Sequence, residues 1–342
     1  MEFAQQAQGP VRVLLGNGFS IGAHQQFQYG TLYEQAKEAG LPDHVVELFE
    51  RYGTTNFEQV LRQLDEGWWL AGHYELEPTN PDRDIAADYE HLKKVLVEAI
   101  SASHPSIPDA VGRERLKACY QFLEAFSEVY TINYDLLLYW TSLVQEPFRF
   151  EDGFGREVDT DDSYCVFLPA GSSRPHIYFL HGALHLTTEA GEVRKLVWNT
   201  TGIPIMEQVR TDLEAKRYPL VVSEGTWLDK LERIESSSYL SWAFRKLENI
   251  QGSLFTYGWA LSEQDDHLLD GIAKNTSLDR VFIGVYGDPQ SEANQALFQA
   301  ADKLVQRRNQ VLTSGRTGRR AKKGLLEVHY YDVSTANVWG DA

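Results

Sequence analysis

The sequence predicts an α/β protein with a mostly parallel sheet, helices on both faces and a helical insertion. Three observations carry this. Short aliphatic runs recur along the 342 residues and stop at glycine or polar positions. Amphipathic stretches with helical spacing separate those runs. Between residues 31 and 127 the helical pattern continues with no strand signal. Strands that alternate with helices need crossover connections, and crossovers make parallel neighbours.

Residues 11–15, Val-Arg-Val-Leu-Leu, are β-branched and aliphatic and run into glycine, as a buried strand does. Residues 32–39, 45–51, 57–64 and 87–101 carry helical periodicity, broken by turn signals at Gly40-Leu-Pro42, Gly53 and Pro78 to Pro81. Thr54-Thr-Asn56 supplies an N-cap before Phe57. Trp68, Trp69 and Tyr74 in this region point to core packing or an oligomer contact. Residues 128–132 form the next strand, followed by a helix from about 134 to 143. Residues 145–175, rich in Gly, Asp, Ser and Pro, read as an irregular or hairpin segment. Strands are expected at 177–180, 196–198, 220–222, 253–257, 281–285 and 326–331, and helices at 238–250, 265–274 and 293–308. Residues 1–30 and 128–342 are expected to form the sheet domain, and 31–127 a helical insertion.

Lysine and arginine total 32 against 49 aspartates and glutamates, a net charge of −17. A broad nucleic-acid face is excluded at that balance, because phosphates would be repelled; nucleic acid enters only through a partner. The exception is the basic cluster Arg316-Thr-Gly-Arg-Arg-Ala-Lys-Lys323, read either as a solvated loop or as a docking site for an acidic partner or nucleic acid. The first ten residues lack the basic start and apolar run of a signal peptide. No stretch reaches the roughly 18 apolar residues of a membrane span. Two cysteines, Cys119 and Cys165, are too few for a disulfide framework and suit a reducing compartment. A cytoplasmic location is expected.

Three segments carry chemistry. In Leu14-Leu-Gly16-Asn17-Gly18-Phe19-Ser20 a strand runs into Gly-x-Gly, which turns tightly and lets backbone approach a ligand. Amides at such a turn can hold a pyrophosphate. Position 21 is Ile21, so the third glycine of the dinucleotide fingerprint is missing, and a plain turn after a buried strand explains the motif equally well. In Tyr130-Thr-Ile-Asn133-Tyr-Asp135, Asn133 offers one acceptor and two donors at a strand end. Asp135 either caps the next helix or serves the site. In Tyr178-Phe-Leu-His181-Gly182-Ala-Leu-His185, His181 at a strand end suits a general base. His185 reads as a packed or solvated histidine. The pair lacks the glutamate of a zinc helix and any third ligand, so no metal is expected.

In this order the segments resemble the sirtuin superfamily, whose members carry Gly-Ala-Gly-Ile-Ser, Thr-Gln-Asn-Ile-Asp and a catalytic His-Gly. Here they read Gly16-Asn-Gly18-Phe-Ser20, Thr131-Ile-Asn133-Tyr-Asp135 and His181-Gly182. Phe255-Thr-Tyr-Gly258-Trp-Ala260-Leu261 is similar to the sirtuin Gly-Thr-Ser-Leu strand end, with Ala260 where serine is usual and Ser262 or Asp265 as substitutes. The resemblance spans roughly residues 11–285, without a counterpart for 31–127. It implies a Rossmann-like fold with NAD as substrate. Gly16, Asn17, Gly18, Phe19, Ser20, Gly258, Ser262 and Asp265 are then expected to line the cofactor, with Phe27 and Tyr29 over the nicotinamide. His181 would activate a water or ribose hydroxyl, Asn133 would orient the nicotinamide ribose and that water, and Asp135 would organise the loop.

Sirtuin deacylases also carry a four-cysteine zinc module, which two cysteines cannot build. The chain therefore looks more like the sirtuin-like NAD hydrolases of bacterial anti-phage defence. Tyr257 to His267 resembles a bacterial family of about this length. That resemblance implies NAD depletion that aborts infection, a homo-oligomer, and a separately encoded partner such as a HerA-type ring ATPase. The rival expectations are a deacylase or ADP-ribosyltransferase, and a non-catalytic module that binds NAD or ADP-ribose.

Overall fold

The structure, a computed structural model, describes residues 10–23, 32–38, 40–55, 57–76, 83–147, 149–155, 164–169, 171, 173–198, 201–222, 226–314 and 324–340. Phe27, Tyr29 and the 316–323 basic cluster lie outside the described residues.

Six parallel strands form the main sheet: β1 (Val11–Leu15), β2 (Glu128–Thr131), β5 (His176–Phe179), β9 (Gly252–Tyr257), β10 (Leu278–Val285) and β11 (Glu327–Asp332). Their spatial order is β11-β10-β9-β1-β2-β5, every pairing parallel. Numbered along the chain this is the 3-2-1-4-5-6 order of a Rossmann-like sheet, with its switch point between β1 and β9. Val13, Leu14, Leu15, Val129, Tyr130, Leu254 and Ile283 are fully buried, because helices flank the sheet and its central strands read as unbroken apolar runs. At the β5 edge, Phe179 N donates to the Tyr239 hydroxyl at 3.0 Å, so a helix side chain rather than water meets the edge amide.

A second sheet was absent from the sequence expectations. It holds β3 (Phe154–Gly155), β4 (Tyr164–Phe167), β6 (Gly182–Glu189), β7 (Glu192–Leu196) and β8 (Pro219–Val221), in the order β3-β4-β7-β6-β8, all antiparallel. Residues 145–175 thus supply two short strands. β6 follows β5 after only Leu180 and His181. The turn is held from both sides: Leu180 N donates to Thr131 O and Val222 N to His181 O, each at 2.8 Å. Gly182 makes it possible, with φ +74° and no room for a side chain; a Cβ there would lie 1.8 Å from Leu220 O. Two helices the sequence did not announce, Ile205–Glu214 and Trp227–Ser236, flank β8.

Between β1 and β2 the described chain is helical, including Phe57–His73 and Ile85–Ser103. The Tyr89–Tyr218 hydroxyl bond at 2.7 Å and the Lys216–Asp65 ion pair at 2.6 Å join these helices to the α/β body. Trp68, Trp69 and Tyr74 are 56, 64 and 66% exposed, which rules out core packing. No helix among the described residues is long and apolar enough to cross a membrane.

Arg308, fully buried, ties the C-terminal half together. Its guanidinium donates to the carbonyls of Ile272, Ala273, Asn275, Leu278 and Gly324. Those oxygens belong to a helix end, a strand start and the turn before β11, and all lose their partner together. Arg308→Met should lower stability by at least about 3 kcal/mol. A urea midpoint equal to wild type would contradict this role.

Candidate active site

The site lies where the loops after β1, β2, β5 and β9 meet at the C-terminal edge of the sheet. At the switch point two backbones touch. Gly16 N donates to Tyr257 O and Gly18 N to Gly258 O, both at 2.9 Å. A Cβ on Gly16 would lie 2.6 Å from Gly258 O, and one on Gly258 2.6 Å from Phe19 N. Gly258 also has φ +65°. The glycines are therefore required by the approach of the β1 loop to the β9 loop. Two of the amides expected to face a pyrophosphate are committed to that approach. Asn17 is exposed, whereas Phe19 is fully buried against Trp339 at 4.8 Å and Tyr257 at 6.5 Å between ring centroids.

The helix that follows, Asn17–Ala23, is short, and its carbonyls are held from outside. Trp339 Nε1 donates to Phe19 O at 2.8 Å, and Arg115 donates to Gly22 O at 2.6 Å and Ala23 O at 2.7 Å.

The β2 loop joins this helix through a polar chain. Asn133 Nδ2 donates to Gly16 O at 2.9 Å and to Ser20 Oγ at 2.8 Å, and Ser20 Oγ donates in turn to Asp135 Oδ2. Because Gly16 O can only accept, the amide nitrogen must face inward. Both donor hydrogens of Asn133 are thereby used, leaving its carboxamide oxygen, an acceptor, as the group it can offer a ligand. Asp135 Oδ1 accepts from Leu137 N at 2.9 Å, so Asp135 both starts the next helix and anchors Ser20. Burial raises its carboxyl to about 6, against the lowering effect of the Ser20 and Leu137 bonds.

His181 belongs to a second, buried network. Its Nε2 lies 2.9 Å from His267 Nε2. Beside the pair, Asp265 Oδ1 accepts from Lys230 Nζ at 3.3 Å and Asp265 Oδ2 from Trp259 Nε1 at 3.0 Å. His181, His267, Asp265, Lys230 and Trp259 are all buried. Burial lowers His181 to about 3, opposed by the nearby Asp265 carboxylate. His267 is lowered by burial likewise. Burial would raise Asp265, but His181, Lys230, the Trp259 indole and His267 outweigh it and hold the carboxyl below its usual range. At neutral pH the network is one ion pair and two uncharged rings. Asp265 thus faces inward, with both oxygens occupied; Ser262 is exposed, and its carbonyl accepts from Asp265 N at 2.9 Å.

His185 lies in strand β6 rather than on a helical turn, between the rings of Tyr139 at 4.5 Å and Phe179 at 5.0 Å. Neither of its nitrogens has a partner, and burial keeps it neutral: it is a packed histidine. Among the described residues no group of three or more His, Cys, Asp or Glu is arranged to hold a metal ion. Lys230, Trp259 and His267 have no assigned role in the sequence reading. The only available signal was Trp259-x5-Asp265-x-His267 directly after a strand-end glycine.

A family model described as a domain of unknown function (DUF4917) matches residues 13–339, and so covers both networks. No curated protein matches the chain.

Acid should destabilise this site through its histidines. Unfolded, His181, His185 and His267 protonate near the ordinary 6.5; folded, they stay neutral to lower pH. Stability therefore falls as pH drops below about 6.5. Asp135 acts oppositely, taking its proton near 6 when folded and near 3.8 when not. Three histidines against one carboxyl leave a net loss of stability as the pH falls from about 6. Urea unfolding at pH 7 and pH 5.5 reads this directly, and equal midpoints would contradict it.

Proposed function

This chain belongs to the DUF4917 family, and we propose that it is an NAD glycohydrolase, cleaving the bond between nicotinamide and ribose. The observation that carries this reading is Asn133, whose amide hydrogens are both spent on Gly16 O and Ser20 Oγ. What remains is an acceptor at the ligand edge of a Rossmann-like sheet, suited to a ribose hydroxyl or a water. His181 follows the neighbouring strand: Thr131 pairs with Phe179, and Asn133 and His181 each come two positions after that pair.

Nicotinamide in NAD is cationic. When the C1′–N bond breaks, the bonding pair leaves with the ring, and neutral nicotinamide departs without a proton donor. Positive charge then develops on the ribose, as in glycoside hydrolysis. A water oxygen forms the new bond to C1′ and sheds a proton to His181, giving ADP-ribose and nicotinamide. Asn133 holds the water or ribose hydroxyl in line, so part of the barrier is met by orientation before reaction. Ser20 and Asp135 act through Asn133 as positioning residues. Asn17, Gly18, Gly258 and Ser262 line the outer part of the cofactor path in this reading.

The proposal extends to a defence effector that depletes NAD, with a separately encoded partner such as a ring ATPase holding it in check. Trp68, Trp69 and Tyr74 are then the face for self-association, since exposed aromatics clustered at one helix end mark contact surfaces.

Purified wild-type protein, with partner if required, should convert NAD to nicotinamide and ADP-ribose on chromatography. His181→Ala and Asn133→Ala should each lose at least about 100-fold in kcat. Wild-type turnover in both variants would sink the mechanism, and NAD affinity without turnover would favour a binding module. Light scattering should give an oligomer that Trp69→Glu weakens; a monomer for the wild type would remove the self-association claim.

A further inference from the structure

His181 follows β5 and His267 follows β9, strands that flank the β1–β2 pair in the sheet. Their hydrogen bond therefore joins loops from opposite sides of the two strands that carry Gly16 and Asn133. A single bond between two imidazole nitrogens holds one proton, so one ring donates and the other accepts. If His181 becomes an imidazolium, its Nε2–H must donate and His267 Nε2 must accept. Resting on the hydrolase reading, we infer that His267 is a positioning residue: it occupies Nε2 of His181 and leaves Nδ1 as the nitrogen that takes the proton.

The surroundings suit that role. His267 lies at the start of the Asp266–Lys274 helix, buried against Phe244 at 6.2 Å between ring centroids. With Nε2 accepting from His181, its Nδ1 carries the ring's one proton, and that nitrogen is buried without a partner. The charged groups around the pair are Asp265, Lys230 and Asp266, the last engaged by Arg307 at 2.9 Å. Asp265 favours, and Lys230 opposes, positive charge on either ring, and Asp266 favours it on His267 as well. The Lys230–Asp265 pair, fixed by Trp259, lies close to both rings, and its carboxylate is the group that favours positive charge there. Nothing in this arrangement requires His267 to touch substrate. It acts as the orienting third member of a triad does, with an imidazole in place of the carboxylate.

Two replacements separate positioning from packing. His267→Phe keeps a ring of similar size and removes the acceptor; His267→Gln restores an amide group that can accept at similar reach. With Phe, kcat should fall about 10- to 100-fold with KM changed less than about 3-fold, and Gln should recover most of the loss. The acid limb of kcat should move to lower pH with Phe, because His181 imidazolium has lost an acceptor. A packing role gives the opposite order, Phe near wild type and Gln worse, and would overturn the inference. Rates are taken per folded protein, with circular dichroism fixing that fraction. The inference also has a readout independent of turnover. Nitrogen-15 spectra of the histidine side chains should find His181 protonated on Nε2 at pH 7 in wild type and redistributed in His267→Phe. His181 protonated on Nδ1 in wild type, or unchanged in the variant, would overturn the pairing even if NAD is hydrolysed. If wild type consumes no NAD while the spectra behave as expected, the hydrolase reading fails and the pairing stands.

Discussion

The site depends on one steric constraint: the backbones of the β1 and β9 loops meet without an intervening side chain. Gly16, Gly18 and Gly258 leave room for two amide–carbonyl bonds and nothing else. Interiors this closely packed do not absorb an added methyl group without moving backbone. Everything downstream inherits the position so fixed. Gly16 O receives Asn133, Ser20 on the next turn receives it a second time, and the loop after Gly258 carries Trp259, Asp265 and His267 towards His181.

Two polar systems grow from that crossing with opposite character. The Asn133–Ser20–Asp135 chain begins at a half-buried side chain and ends inside at a carboxyl and a helix start. The His181–His267 pair and the Lys230–Asp265 ion pair beside it are buried throughout. Buried ionic groups are tolerated when each charge is matched and its hydrogen bonds are met. Asp265 meets that condition with an ammonium on one oxygen and an indole on the other. The two rings beside it can stay uncharged because the ion pair is already complete.

Much of the main sheet was legible in the sequence because its central strands are buried on both faces, so each is a run of aliphatic residues ending at a turn. The second sheet was not. β6, Gly-Ala-Leu-His-Leu-Thr-Thr-Glu, mixes small, aromatic and polar residues, and its neighbour β7 alternates charge with aliphatics over only five positions. Such short antiparallel strands take their stability from cross-strand partners that no local window contains. That is why His185 could be imagined on a helical turn. Asn133, Asp135 and His181 stood out because each sits where an aliphatic run stops. His267 lies 86 residues from its partner, and Lys230 sits inside an ordinary amphipathic helix. Only the order of strands in the sheet brings them together. The exposure of Trp68, Trp69 and Tyr74 was likewise undecidable locally, since helical spacing places a stripe without saying what covers it.

The bond from Trp339 Nε1 to Phe19 O spans 320 positions of sequence. Chains emerge from the ribosome N-terminal end first, at about 5–20 residues per second. The glycine loop is therefore made before residue 339, and its helix lacks this support until that residue has been synthesised. Full support of the Asn17–Ala23 helix, on which Ser20 sits, is thus delayed until translation has passed that point.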